Sequence, residues 1–290
     1  MLRRGMTRLR RARLHYGHGT ETAIDDAAAL LAAAKGLRRP LADADLPRPV
    51  GERAQRRYAE LLRRRITERI PAVYLTHRCW FAGIPFYVDE RVLVPRSPIA
   101  ELIERQFAPW VDAAGVRRIV DLGTGSGCIA LAAAVFFPRA RVDAVDISPD
   151  ALEVARINRA ALKLERRVRL VESDFFKGLA GRRYDIIVSN PPYVGTAEFN
   201  DLPPEYGHEP SGALQSGRDG MNAVRVLLAE SAAHLTDNGV LVVEVGNTET
   251  RLRRAFPKLP FLWLSFERGG GGVFLLTAAQ LRAAVQEVKA

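Results

Sequence analysis

The chain has 290 residues, a length that suits two domains, and 48% of them are hydrophobic, enough for a sizeable core. Its two cysteines, Cys79 and Cys128, stand far apart in no metal-ligand spacing, which argues against a disulfide framework or a zinc site and for a reducing, cytoplasmic setting; the longest apolar runs, such as residues 128–137, are too short to cross a bilayer. The formal charge of +10 is uneven: residues 1–78 hold 18 Lys and Arg against 8 Asp and Glu, whereas residues 79–290 hold 25 of each.

The first sixteen residues carry Arg3, Arg4, Arg8, Arg10, Arg11 and Arg13 but lack the apolar centre of a secretion signal, leaving a helix or a transit peptide. Helices are predicted over Thr22 to Lys35, with Asp25 and Asp26 in the first turn, and over Gly51 to Arg69, where Arg56, Arg57, Arg63, Arg64 and Arg65 crowd one element. Such a run reads either as a solvated helix face or as a surface for phosphate-rich RNA. Next, the bulky residues of Trp80 to Asp89 alternate around Gly83 and Pro85, predicting a hairpin whose aromatic rings serve packing.

From about Arg91 the pattern alternates strand and helix, which predicts an α/β domain with a parallel sheet covered on both faces. Arg118, Ile119 and Val120 form a strand that runs into Asp121, Leu122, Gly123, Thr124, Gly125, Ser126, Gly127 and Cys128, with a helix expected from Ile129 to Phe136. Glycine at every second position lets the backbone approach a ligand beside a helix N-terminus. The spacing is not that of a dinucleotide loop and lacks a P-loop lysine. A second strand, Arg141 to Asp146, precedes Ser148 and Pro149 as N-cap and first helical residue, so Asp146 falls at a strand end, where a carboxylate can accept both hydroxyls of a ribose. Asp174 follows Val168 to Val171 in the same arrangement.

A third apolar run, Ile186 to Val188, ends in Asn190, Pro191, Pro192 and Tyr193. The prolines stiffen this turn and contribute carbonyls without donors, so the Asn190 side-chain oxygen and the Pro191 carbonyl can each take one hydrogen of a planar NH2 group, with Tyr193 lying against it. The bland reading is a tight turn capping a strand. Residues 194–219 have no clear period, and directly after this turn they are expected to wall a substrate groove; His208 there is expected to bond within the loop rather than move protons. Further on, Gly220 to Leu235 predicts a helix, Val240 to Val245 a strand, and Phe261 to Phe266 with Val273 to Thr277 two strands joined by Gly269 to Gly272.

With these motifs in this order, the chain resembles the class I methyltransferases that use S-adenosylmethionine, and within them the HemK-type glutamine-specific protein methyltransferases, from about His18 to the C-terminus. The resemblance implies a seven-stranded, mostly parallel sheet with helices on both faces and a small N-terminal helical domain. It implies a cofactor site at Asp121, Gly123, Thr124, Gly125, Gly127, Asp146, Ile147, Asp174, Phe175 and Asn190, with the glycine loop at the methionine part, Asp146 at the ribose and the Asp174, Phe175 segment at the adenine. Asn190, Pro191, Pro192 and Tyr193 match the family's substrate motif for the glutamine amide. The stretches Tyr16 to Thr20 and Glu90 to Ile99 resemble the branch that methylates large-subunit ribosomal protein three; the release-factor branch follows its Pro-Arg with Pro and acidic residues, where this chain has Ser97, Pro98, Ile99 and Ala100 after Pro95 and Arg96.

The expected division is a basic helical substrate-recognition domain at 1–78, a β-hairpin linker at 79–96 and a Rossmann-like catalytic domain at 97–290. In the family's helical N-terminus the Arg-rich start is the tail of a first helix. The expected partners are ribosomal protein uL3 and, through the basic N-terminus, ribosomal RNA or assembly intermediates, with no membrane and no metal. A release-factor glutamine is the rival substrate. A DNA adenine methyltransferase also grips an exocyclic amine with such a motif, but no segment for reading DNA is evident. A non-catalytic cofactor-binding protein is disfavoured because both halves of a site are present.

Overall fold

The computed structural model describes residues 1–284. Its helical N-terminal part consists of α1 (Leu2–Arg11), α2 (Ala23–Ala34), α3 (Glu52–Thr67) and the short α4 (Ala72–Thr76). Thr22 caps α2 by accepting from the Asp25 N–H, and the acidic pair in that first turn faces the positive end of the helix. Leu9, Leu14, Ala27, Leu30, Tyr58, Leu61 and Leu62 close a core of their own. Strands β1 (Cys79–Phe81) and β2 (Ile84–Phe86) form the expected antiparallel hairpin, in which Phe81 and Phe86 pack into the larger core while Trp80 stays exposed. Pairing stops at Phe86, short of residue 96, because the Asn158 side chain captures both the N–H and the carbonyl of Tyr87 and also bonds the Ser126 carbonyl.

The remaining elements are α5 (Ile99–Glu104), β3 (Arg118–Leu122), α6 (Cys128–Phe136), β4 (Arg141–Asp146), α7 (Pro149–Ala161), β5 (Val168–Glu172), β6 (Tyr184–Ser189), α8 (Thr196–Asn200), α9 (Asn222–His234), β7 (Leu235–Glu244), α10 (Glu249–Ala255), β8 (Leu262–Trp263), β9 (Val273–Thr277) and α11 (Ala278–Ala283). The sheet order is β5-β4-β3-β6-β7-β9-β8, parallel except for the pairings of β9 with β7 and β8. This is the class I methyltransferase sheet. Alternation explains why its strands read as continuous apolar runs: Ile119, Val142, Ile186 and Val240 enter the core on one face, and Val120, Val145, Ile187 and Leu241 enter the core on the other.

Three regions depart from the sequence expectation, the first being β7, which begins at Leu235 instead of Val240. The strand predicted over 261–266 contracts to Leu262–Trp263, an edge strand that follows Pro260 and whose shortness limits the unpaired backbone it presents. Residues 194–219 contain α8 and two single turns, at Pro204–His208 and Ser211–Ala213. Pro203, Pro204 and Pro210 break the period, and the segment is held by tertiary bonds. Fully buried Glu205 accepts from the His15 N–H at 2.9 Å and pairs with Arg69 at 2.9 Å and Arg65 at 3.5 Å. Glu209 takes the Val94 N–H and both outer nitrogens of Arg96, and His208 bonds the Glu68 carbonyl at 2.9 Å.

Arg65 is therefore a keystone inside the helical part. It is 1% exposed, donates to Asp26 at 2.7 Å and to the His15 carbonyl at 2.7 Å, and faces Glu205. Replacing it with Met leaves two buried carboxylates short of a partner, and we expect a loss of about 3–5 kcal/mol, measurable by chemical denaturation. A loss below about 1 kcal/mol would show that the pair is solvated in practice.

Candidate functional site

Parallel register brings three strand ends to one edge. Leu122 lies opposite Val145 on one side and Ser189 on the other, and the Ser189 hydroxyl donates to the Leu122 carbonyl at 2.6 Å. The chain therefore leaves β3, β4 and β6 at the same level, into the glycine loop, Asp146 and Asn190. Between them lies a cavity of about 470 Å³, at the strand ends where open α/β sheets bind ligands.

Gly123, Gly125, Asp146, Ile147, Asp174, Phe175, Asn190 and Pro192 of the predicted site all line this cavity. Asp146 is fixed by the Gly125 N–H at 2.8 Å and the Ser148 N–H at 2.9 Å. Burial pushes its carboxyl above the usual range while those N–H bonds pull it back. Ile147 is 67% exposed, an apolar side chain standing at the cavity with little to cover it. Phe175 is held at φ 46°, a left-handed conformation uncommon outside glycine and asparagine. Asn190 contributes the most telling atom: its Oδ1 is buried without a hydrogen-bond partner in a cavity wall. A buried acceptor left unmatched costs stability and calls for a donor.

Asp121, Thr124 and Gly127 stand behind the wall. Asp121 is fully buried and accepts from the Thr124 hydroxyl at 2.5 Å and the Ala130 N–H at 3.1 Å, so it ties the glycine loop to the first turn of α6. Burial pushes its carboxyl up to about 7 against those bonds, and its second oxygen has no partner. At Gly127, with φ 80°, a side chain would strain the backbone and press on Leu131 and Ala155.

Pro191 and Tyr193 lie outside the cavity lining. The Tyr193 ring lies against Gly246, where an added Cβ would come within 2.6 Å of the ring. Its hydroxyl donates to Glu244 at 3.3 Å, and its carbonyl accepts from Thr248 at 2.8 Å. Glu244 is 6% exposed; burial pushes its carboxyl up to about 7, partly offset by Ser97 and the Tyr193 hydroxyl.

Sequence reasoning missed several lining positions. Arg91 to Leu93 reach the cavity from the stretch after the hairpin, Asn222 and Val226 from α9, and Pro210, Gly212, Ala213 and Gln215 to Gly217 from the aperiodic segment. That segment was expected to wall a groove, but its individual positions carry no periodic signal. A second groove, of about 480 Å³, gathers Gly17, Gly19, Trp80, Ser97, Pro98 and Gly270. It joins the two stretches, Tyr16 to Thr20 and Ser97 to Ala100, that set this chain apart in sequence. No His, Cys, Asp and Glu cluster able to hold a metal occurs among the described residues, and no helix among them is long and apolar enough to cross a membrane.

Residues 105–202 match the family described as "Methyltransferase small domain". Over 98% of its length the chain is 45% identical to the ribosomal protein uL3 glutamine methyltransferase of Xylella fastidiosa (strain Temecula1), covering 90% of that protein. It is 46% identical to the Neisseria meningitidis serogroup A protein of that name over 97% of this chain and 93% of the other, and 45% identical to that of Bordetella pertussis over 97% and 95%. With such identity along nearly the whole of each sequence, the chain belongs to the ribosomal protein uL3 glutamine methyltransferase family.

Proposed function

We propose that this chain transfers a methyl group from S-adenosylmethionine to the side-chain amide nitrogen of a glutamine in ribosomal protein uL3. One observation carries the reading: Asn190, whose side-chain oxygen is buried without a partner, lines the same cavity as Asp146, in a chain 45% identical over 98% of its length to a uL3 glutamine methyltransferase. The residues present fit the cofactor. Gly123 and Gly125 leave room for it, Asp146 would offer its carboxylate to the ribose, and Ile147, Asp174 and Phe175, which line the same cavity, would hold the adenine. Asp121, Thr124 and Gly127 shape the loop from behind. When bound, the cofactor supplies an electrophilic sulfonium methyl.

An amide nitrogen is a poor nucleophile because its lone pair is delocalised into the carbonyl. Positioning must therefore supply much of the rate. Asn190 Oδ1 and the Pro191 carbonyl each accept one N–H of the glutamine amide, which fixes the direction of the nitrogen lone pair. Both acceptors hold the nitrogen more strongly as it becomes positive, so they favour the transition state over the ground state. Pro192 keeps the turn rigid. Tyr193, held by Glu244 and Gly246, gives the turn a fixed aromatic flank that favours growing positive charge. The nitrogen becomes acidic after alkylation and sheds its proton without a dedicated base.

Residues 1–78 are proposed as the substrate-recognition part, with contacts to RNA. The structure sharpens which arginines are available. On α3, Arg63 and Arg64 pair with Glu60 and Glu68, Arg56 reaches Glu52 at 3.8 Å, and Arg65 is buried. On α1, by contrast, Arg3, Arg4, Arg8, Arg10 and Arg11 make no side-chain hydrogen bond or ion pair among the described residues, and all are exposed.

Three outcomes test these readings. Incubation with labelled S-adenosylmethionine and, separately, uL3, a class I release factor and adenine-containing DNA should place the methyl on a uL3 glutamine; Asn190→Ala should slow this by on the order of 10²–10³, and Asp146→Ala should weaken cofactor binding at least about tenfold. Label on the release factor or DNA alone would overturn the substrate assignment. In a second measurement, replacing Arg4, Arg8 and Arg11 with Gln should flatten the salt dependence of binding to a uL3–RNA complex by about two to three units of log–log slope; an unchanged slope rejects contact through α1. The third concerns pH. Glu244 rises from 4.5 to about 7 on burial, so its contribution to stability is full below its unfolded value and is lost as pH rises through 7. The melting temperature of Glu244→Gln relative to the parent should therefore grow more favourable between about pH 5 and pH 8. A difference that stays flat would mean that Glu244 ionises freely.

A further inference from the structure

A third concave site lies at the opposite end of the sheet from the cofactor cavity, where β3, β4 and β5 begin. It is a cavity of about 360 Å³ lined by seven arginines against two carboxylates, Asp143 and Glu165. Average composition does not explain it, because residues 79–290 hold equal numbers of basic and acidic side chains. The charges have been sorted to one place.

The arginines divide by what holds them. Arg169 and Arg182 share Asp143, which also accepts from Tyr184, so that carboxylate has no capacity to spare. Arg159 donates to the Val168 carbonyl, and Arg167 to the carbonyls of Ala134 and Phe137; such bonds orient a guanidinium but leave its charge uncancelled. Arg118, Arg141 and Arg166 are exposed and make no side-chain hydrogen bond or ion pair among the described residues. Register adds to the cost, since Arg118 sits directly opposite Arg141 on the neighbouring strand, and like charges in that relation repel. Folding alone gives no reason to assemble these groups.

We propose that this cavity is a phosphate-binding site through which the enzyme grips the backbone of an RNA, apart from any contact made by α1. Forked guanidiniums match phosphate oxygens two at a time, and a concave cluster with spare donors fits a backbone bearing closely spaced anions. β4 spans roughly 16 Å from Arg141 to Asp146, so RNA held here leaves the cofactor cavity open. Such a grip raises the local concentration of a substrate protein carried on the same RNA. The choice of RNA rests on the uL3 reading; the cavity itself does not.

The test uses the full chain, a short labelled RNA duplex and fluorescence anisotropy over a range of salt. The triple variant Arg118→Gln, Arg141→Gln, Arg166→Gln should bind at least about tenfold more weakly near 0.1 M salt, with a log–log salt slope shallower by about two to three. Its melting temperature should be equal to or above the parent's, since the Arg118–Arg141 repulsion is removed, while cofactor affinity and methylation of isolated uL3 should stay as in the parent. Unchanged RNA affinity in the triple variant overturns the proposal, as does loss that appears only when Arg4, Arg8 and Arg11 of α1 are replaced. Displacement of RNA by pyrophosphate at micromolar concentration would reassign the cavity to a small phosphate ligand, and equal displacement by polyglutamate at matched charge would reassign it to an acidic protein. Failure to methylate uL3 in the parallel assay would sink the substrate reading and leave the binding result standing.

Discussion

The alignment of β6 against β3 is the constraint on which the site depends. Leu122 and Ser189 lie opposite one another, and the Ser189 hydroxyl bonds the Leu122 carbonyl in that register. A slip of one residue would exchange the two faces of β6, sending Ile186 and Val188 into the core that Ile187 now fills. The apolar packing on both faces therefore fixes, to the residue, where Asn190 leaves the sheet relative to Gly123. The cavity inherits its geometry from the core and carries little of the burden of its own order. That is why an unmatched acceptor and two carboxyls displaced to about 7 are tolerated around it.

A second constraint joins the aperiodic segment to the helical part. Glu205 and Glu209 are inserted among Arg65, Arg69, Arg96 and the N–H groups of His15 and Val94. His18 sits in this assembly against the Tyr206 ring, with neither ring nitrogen bonded, and burial beside Arg96 lowers it to about 3. A neutral imidazole there packs as an aromatic wedge. The segment that borders the cavity at Pro210 to Gly217 thus takes its position from residues that sit far from it in sequence.

The strand ends and their polar residues were legible because each signal is local. A glycine at every second position, an acid at the end of an apolar run and a proline pair after an asparagine each state a backbone geometry within a few residues. The paired behaviour of the hairpin and the capping of α2 and α7 follow from equally short patterns. Other features depend on distance in the chain. Nothing around Glu205 announces that it will meet Arg65, and a run of five arginines on one predicted helix gives no hint that one of them is buried while three find acidic neighbours. Asp121 illustrates an intermediate case: its place in the motif was plain, yet its role behind the wall required the fold.

The carboxylate clamp also bears on how such proteins can diversify. Because Glu205 and Glu209 find their partners in the helical part and in the stretch that follows the hairpin, the helical part and the segment after Tyr193 are not interchangeable modules. Grafting a helical domain from another protein onto this sheet would strand buried Glu205, and exchanging the linker with it would strand Glu209 as well, unless the segment between α8 and α9 came along. Changes of target would then be inherited as a linked pair of regions, and recombination between branches would succeed only at breakpoints that keep both together.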